Sequence, residues 1–226
     1  MFKYYLHKKI SKMDFDLVVK NRRSVRSFDQ TKKVSTEHIA EILDAARYAP
    51  SSGNLQNWSF ILIESKEKKD IVMHACPKQE FLVDATYLVI VVSRQENVRR
   101  YFGTRGEMLY AIQNCAAAIE NMLLKATDLE VSSCWINAFD ENVIKREFSI
   151  PEDVRVQSIL AFGYCSEPYS EVKRYALDLL LYFESWGQKK GNIVFPLEQK
   201  AIPRIEEKFE EKKGFLKRLF NKYHKT

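Results

Sequence analysis

The longest helical pattern in the chain, residues 105–128, constrains the fold more than any other feature. Leu109, Ile112, Ala116, Ile119 and Leu123 fall three or four residues apart, the spacing that lines one side of an α-helix. Cys115, Ala117, Met122 and Leu124 widen that stripe. A helix this apolar belongs in a core or at a subunit interface. The rest of the chain has to supply surfaces that cover it.

Those surfaces alternate between helix and strand without a regular repeat. Residues 14–21 read as a short helix. Ser35 is a good N-cap for the next one, with Glu37 in its first turn and Ile39, Ile42, Leu43 and Ala46 at helical spacing. Pro50 is expected to stop that helix, because proline disfavours a helical residue before it. Residues 58–64 suit a strand and 67–76 a helix. Residues 86–93, rich in β-branched side chains, suit a central strand. Residues 131–139 and 156–164 add two more strands, with Asp140 capping a short helix to Phe148 between them. From Tyr175 the chain reads as helical and aromatic, then charged. The fold class expected is α+β, with an antiparallel or mixed sheet flanked by helices.

Composition excludes several function classes. The 226 residues suit one sizeable domain, and no apolar run is long enough to span a bilayer. No secretory signal is visible. Cys76, Cys115, Cys134 and Cys165 contain no CxxC pair, so neither zinc nor thioredoxin-like chemistry is indicated. They read as small buried residues in a reducing cytoplasm. The net charge of +6 lies in the tail, where Lys212, Lys213, Lys217, Arg218, Lys222 and Lys225 occur without an acid; the remainder holds 30 basic and 30 acidic residues. A basic body that coats nucleic acid is therefore not expected. Residues 1–12 read as a disordered lead-in, with Met13 as an alternative start, and residues 201–226 as a charged extension. Phe215, Leu216, Leu219, Phe220 and Tyr223 recur on one side of a helix there. That helix can pack on its own dimer, the favoured reading, or lie on an anionic membrane.

Three separated segments carry the polar chemistry. The first is Arg22-Arg23-Ser24-Val25-Arg26-Ser27-Phe28. Arginine pairs bidentately with phosphate and a serine hydroxyl adds a donor. In an extended segment Arg22, Ser24 and Arg26 share one side. The second, Ala49-Pro50-Ser51-Ser52-Gly53-Asn54-Leu55-Gln56-Asn57-Trp58, is a loop of turn-formers that can offer hydroxyl, amide and backbone donors. The third is Ser133-Cys134-Trp135-Ile136-Asn137-Ala138-Phe139, followed later by Gly163-Tyr164 and Lys173-Arg174. Taken singly, each is better read as a solvated basic turn, an ordinary connection or a core tryptophan.

Together, and in this order, the segments resemble the nitroreductase family over residues 15–187. The resemblance rests on RRSVRSF, APSSGNLQNW, AIENMLLKATDLEVSSCWINAF, LAFGYCSEPY and YFESWG. It implies an FMN-binding α+β fold that forms an intertwined homodimer over residues 13–200. Arg22, Arg23 and Ser24 resemble residues around the FMN phosphate and ribityl chain, and Arg26 the cation near the pyrimidine edge. Pro50, Ser51, Ser52, Asn54 and Gln56 resemble the loop that the second subunit lends to the same flavin. Trp135, Ile136, Asn137 and Ala138 resemble the segment whose backbone faces flavin N5, and Lys173 or Arg174 the late basic residue of the phosphate site. Asn57 stands where the family usually has proline, Asn137 where glycine is frequent, and Asn114 where aspartate is common.

The implied activity is hydride transfer from NAD(P)H through FMN to a small organic acceptor, of nitroaromatic or quinone type, in a ping-pong cycle. No residue beyond the flavin need be catalytic, Arg26 serving as an electrostatic tuner, and no metal is implied. The absence of a GxGxxG motif after a strand agrees with a nicotinamide that binds on the flavin, and Gly103 and Gly106 make only a lone GxxG. Two alternatives stay open. One is specialised flavin chemistry, as in a flavin reductase or an oxygen-using reaction of reduced FMN. The other is a non-catalytic FMN-binding scaffold.

Overall fold

The computed structural model describes residues 14–165, 167 and 172–190. The lead-in, Met13 and the amphipathic segment within 201–226 lie outside the described residues. Two compact units divide the chain, one up to residue 170 and one from residue 171.

The first unit is built on a four-stranded sheet of β1 (Trp58–Ile63), β2 (Tyr87–Arg94), β3 (Ser132–Ile136) and β4 (Val154–Gly163), in the order β1-β2-β4-β3. Every neighbouring pair is antiparallel, which resolves the mixed-or-antiparallel expectation. The apolar run of β2 follows from burial on both sides of the sheet. Tyr87, Val89 and Val91 join one core with α2 (Thr36–Ala46) and α5 (Ala111–Asp128). Leu88, Ile90 and Val92 join a second core with α3 (Lys66–Ala75) and α6 (Glu141–Glu147). The order is helix, sheet, helix, with α1 (Phe15–Asn21) and α4 (Gln95–Arg105) outside these two pairs.

The local signals explain most boundaries. Ser35, Ser65 and Asp140 each accept a backbone N–H in the first turn of their helix, satisfying a donor left unpaired there. Helix α2 ends at Ala46, a few residues before Pro50, and the turn between them closes with N–H bonds from Tyr48 to Ala45 and from Ala49 to Ala46.

Three expectations need correction. The helix expected from residue 105 starts as α5 at Ala111, after one π-helical turn, Gly106–Tyr110. Before it runs α4, unforeseen because residues 95–105 are mostly polar. Gly103 breaks it with φ 63° and ψ −158°, and Gly106 is held so close to Phe102 and Val98 that a Cβ would collide with both. The lone GxxG is thus a packing device. The buried side of α5 is also rotated from the expected stripe. Ala111, Asn114, Cys115, Ala118, Ile119, Met122, Leu123 and Ala126 are buried, whereas Ile112 is 39% exposed. Third, among the described residues the helix expected from Tyr175 onward reduces to one turn, α7 (Leu177–Leu180), in the second unit, followed by a turn in which Phe183 N–H bonds Gln188 O.

Candidate active site

The arginine segment leaves α1 at Arg22, the C-cap residue, and runs extended past the free edge of β3. Val25 N–H bonds Ser133 O at 2.9 Å, and Ser24 pairs with Ser133 in parallel. Further on, Phe28 pairs with Cys165 just after β4. Val25 faces inward, so Ser24 and Arg26 are exposed on the opposite side, the alternation expected of an extended segment, and Phe28 turns inward where that alternation ends. Gly163 makes this path available: a Cβ there would lie 2.7 Å from the Phe28 ring.

The cations differ in their surroundings. Arg22 Nε pairs with Glu120 of α5 at 3.3 Å. Arg23 Nη1 donates to the carbonyls of Lys20 and Arg22, capping α1, while its Nε is buried without a hydrogen-bond partner among the described residues. A buried guanidinium N–H with nothing to donate to is uncommon. A phosphate oxygen would satisfy it. Arg26 lies close enough to Cys134 to pull that thiol's pKa down, although burial dominates and holds it above its ordinary value.

The second segment is a strained loop. Gly53, Asn54 and Gln56 all have left-handed φ, at 57°, 55° and 43°. Two of the three are not glycine, and such geometry persists only where neighbours impose it. Phe102 of α4 covers Gly53, and Tyr110 meets Phe102 edge-on at 5.5 Å between ring centroids. Pro50, Ser51 and Ser52 form one wall of a 340 Å³ cleft, and Tyr110, Gln113, Asn114 and Ala117 form the other. Asn57, beside the loop, and Asn114 are both buried and hydrogen-bonded to each other.

The third segment ends β3. Trp135 Nε1–H reaches Ser158 Oγ at 2.7 Å and Asn137 Oδ1 at 2.9 Å, and Ser158 Oγ lies 2.6 Å from Asn137 Oδ1. Two donors on Oδ1 fix the amide's orientation. Ser158 adjoins a β-bulge: Val91 pairs with Ser158 and Val92 with Val156, leaving Gln157 as the extra residue. Bulges re-aim side chains and recur next to active sites. Ile136 is buried, while Asn137 and Ala138 are exposed at the strand's end.

The structure therefore brings the first and third segments together through β3. Among the described residues, the loop's hydrogen bonds outside itself go to α5 rather than to either segment. Arg22 touches α5 at Glu120 and Ser52 touches it at Asn114. Six helical residues separate those contacts by about 9 Å along the axis and about 120° around it. Lys173 and Arg174 are exposed in the second unit. Ser93, Phe102 and Ser158 were not foreseen. Nothing in their own sequence neighbourhood marks them, because each acts through a partner distant in the chain.

Comparison with known proteins agrees with this architecture. A sequence model of the Nitroreductase family matches residues 19–79 and 67–164. An inferred NADH dehydrogenase/NAD(P)H nitroreductase of Methanothermobacter thermautotrophicus is 33% identical over 165 residues, 70% of this chain and 81% of that protein. A crystal structure of a nitroreductase family protein from Clostridium novyi NT superimposes with a TM-score of 0.62 at 29% identity, covering 78% of this chain and 97% of that one. An FMN-dependent nitroreductase from Clostridium difficile R20291 does so with a TM-score of 0.64 at 26% identity, covering 75% and 98%. With the family model spanning residues 19–164 and a relative one-third identical over most of both chains, the protein belongs to the nitroreductase family.

Proposed function

We propose that the protein is a cytoplasmic, homodimeric, FMN-dependent oxidoreductase that takes electrons from NAD(P)H and delivers them to a small organic acceptor of nitroaromatic or quinone type. The observation that carries this reading is the first segment: Ser24 and Arg26 exposed side by side along β3, next to a buried, unpartnered Arg23 Nε. When bound, FMN supplies the redox chemistry, accepting hydride from the nicotinamide and passing electrons to the acceptor in a ping-pong cycle.

The chain's own residues bind, orient and tune. Arg22, Arg23 and Ser24 hold the phosphate and ribityl chain. Arg22 meets Glu120 through Nε, and its two Nη groups can form the bidentate pair that phosphate favours. Arg26 places a fixed positive charge at the pyrimidine edge and stabilises negative charge that develops there. Trp135, Ile136, Asn137 and Ala138 present backbone donors from the end of β3, held by the Ser158 network. Lys173 or Arg174 completes the phosphate site. Pro50, Ser51, Ser52, Asn54 and Gln56 serve the partner subunit's flavin. A two-fold arrangement brings one subunit's loop to the other's arginine segment. Exposed Tyr101, Met108 and Ile112 support such an interface. The four free thiols support a reducing compartment, and no helix among the described residues is long and apolar enough to cross a membrane.

Fluorescence titration of the apoprotein with FMN tests this reading. Arg22→Ala and Arg174→Ala should each weaken affinity roughly ten- to a hundredfold, the worth of one charge-assisted bond of about 1.5–3 kcal/mol. Unchanged affinity in both variants removes these residues from the phosphate site.

A further inference from the structure

Asn57 and Asn114 lie far apart in the chain and touch each other beside the strained loop. Asn114 Nδ2 donates to Asn57 Oδ1 at 2.7 Å and to Ser52 Oγ at 2.9 Å, while Asn114 Oδ1 accepts the Ser52 N–H at 3.0 Å. Asn57 Nδ2 donates to Ser93 Oγ at 2.7 Å and to Ala111 O at 3.2 Å. Both amides are buried, Asn57 to 2% and Asn114 to 5% exposure. Each of the two uses its oxygen and both its N–H groups.

This network reaches the strained loop at one point. Among the described residues, the hydrogen bonds from residues 51–56 to the rest of the chain all end on Asn114. The loop's other bonds are internal: Asn54 N–H to Ser51 O, Leu55 N–H to Ser52 O, and Gln56 to Ser51 and Asn54. Three left-handed residues in such a loop need an external anchor to hold one conformation.

We infer that Asn57 and Asn114 form an uncharged clamp that positions the 51–56 loop for cofactor binding. Asn114 acts on the flavin only through Ser52, and Asn57 fixes Asn114 from behind. The two amides belong together. An aspartate at position 114 could still accept the Ser52 N–H, but it would set a buried carboxylate against Asn57 Oδ1 with no proton between them. The inference rests on the reading of this loop as part of the partner's FMN site.

The test combines amide hydrogen exchange of the full-length, FMN-free chain with FMN titration. In Asn114→Ala, Ser52 N–H should exchange about tenfold faster or more, and the FMN dissociation constant should rise about tenfold, while α5 amides keep their protection. Asn114→Asp should behave like Asn114→Ala. The double variant Asn57→Ala/Asn114→Asp should recover both quantities, because the carboxylate then holds Ser52 unopposed. Unchanged Ser52 exchange in Asn114→Ala overturns the clamp. Equal loss of protection along α5 reduces Asn114 to a general structural role and overturns it as well. Wild-type behaviour of Asn114→Asp alone refutes the coupling to Asn57. Faster Ser52 exchange with unaltered FMN affinity instead overturns the assignment of the loop to the flavin, and the positioning role with it.

Discussion

Burial sorts the cysteines into two kinds. Burial pushes the Cys76 thiol up to about 12. It pushes Cys115 up to about 11, against hydrogen bonds from Ser93 and Asn57 that pull the other way. Cys134 is also raised by burial, with Arg26 opposing. The thiolate is the nucleophile, and these three carry almost none at neutral pH. Cys165 is half-buried beside Phe28. Alkylation of the native protein with iodoacetamide at pH 7.5 should therefore label Cys165 first and leave the other three silent until denaturant is added. Peptide mapping that finds Cys76 or Cys115 labelled in the native state would contradict the core assignment. At this same scale the sequence was partly legible. The exposure of Ser24 and Arg26 follows from alternation along an extended segment. The Asn57–Asn114 contact joins positions far apart in the chain, and no local pattern encodes such a pairing.

Among the elements, β2 was legible because both its sides are buried, so every position from Tyr87 to Val92 is apolar. Helix α5 was legible in existence but not in orientation. Ala116, Ala117 and Ala118 are nearly neutral markers of a face, and a stripe drawn through Leu109 and Ile112 reads as well as one through Ala111 and Cys115. The structure decides between them, placing Ala111 and Cys115 in the core and Ile112 at the surface. Hence Ile112 is free to face a partner, whereas Ile119 and Leu123 are taken up by the core. Ile119→Ala should cost about 2–5 kcal/mol of stability, the range for a buried isoleucine truncated to alanine. Ile112→Ala should leave urea unfolding of the dilute chain within about 0.5 kcal/mol of wild type. Equal losses in the two variants would mean that the helix is rotated from the position described. The bulge at Gln157 was not legible, because it depends on pairing with a neighbouring strand.

For the whole molecule, the proposed dimer brings the loop of residues 51–56 of one subunit to the arginine segment of the other. Sedimentation velocity on the yellow protein should give a species of twice the 26.5 kDa chain mass, with two flavins per particle. A monomer that retains one FMN would show that a single chain completes the site, and would remove the role assigned to the loop. Dissociation should release the flavin along with the subunit contact, since each cofactor depends on side chains from both. Electron transfer from a nicotinamide to bound FMN is read by mixing the FMN-loaded protein with NADH or NADPH under anaerobic conditions and following the flavin absorbance near 450 nm. At least one nicotinamide should bleach the band within seconds of mixing, and a quinone or nitroaromatic should then restore it; a yellow protein that neither nicotinamide bleaches would rule out the proposed activity.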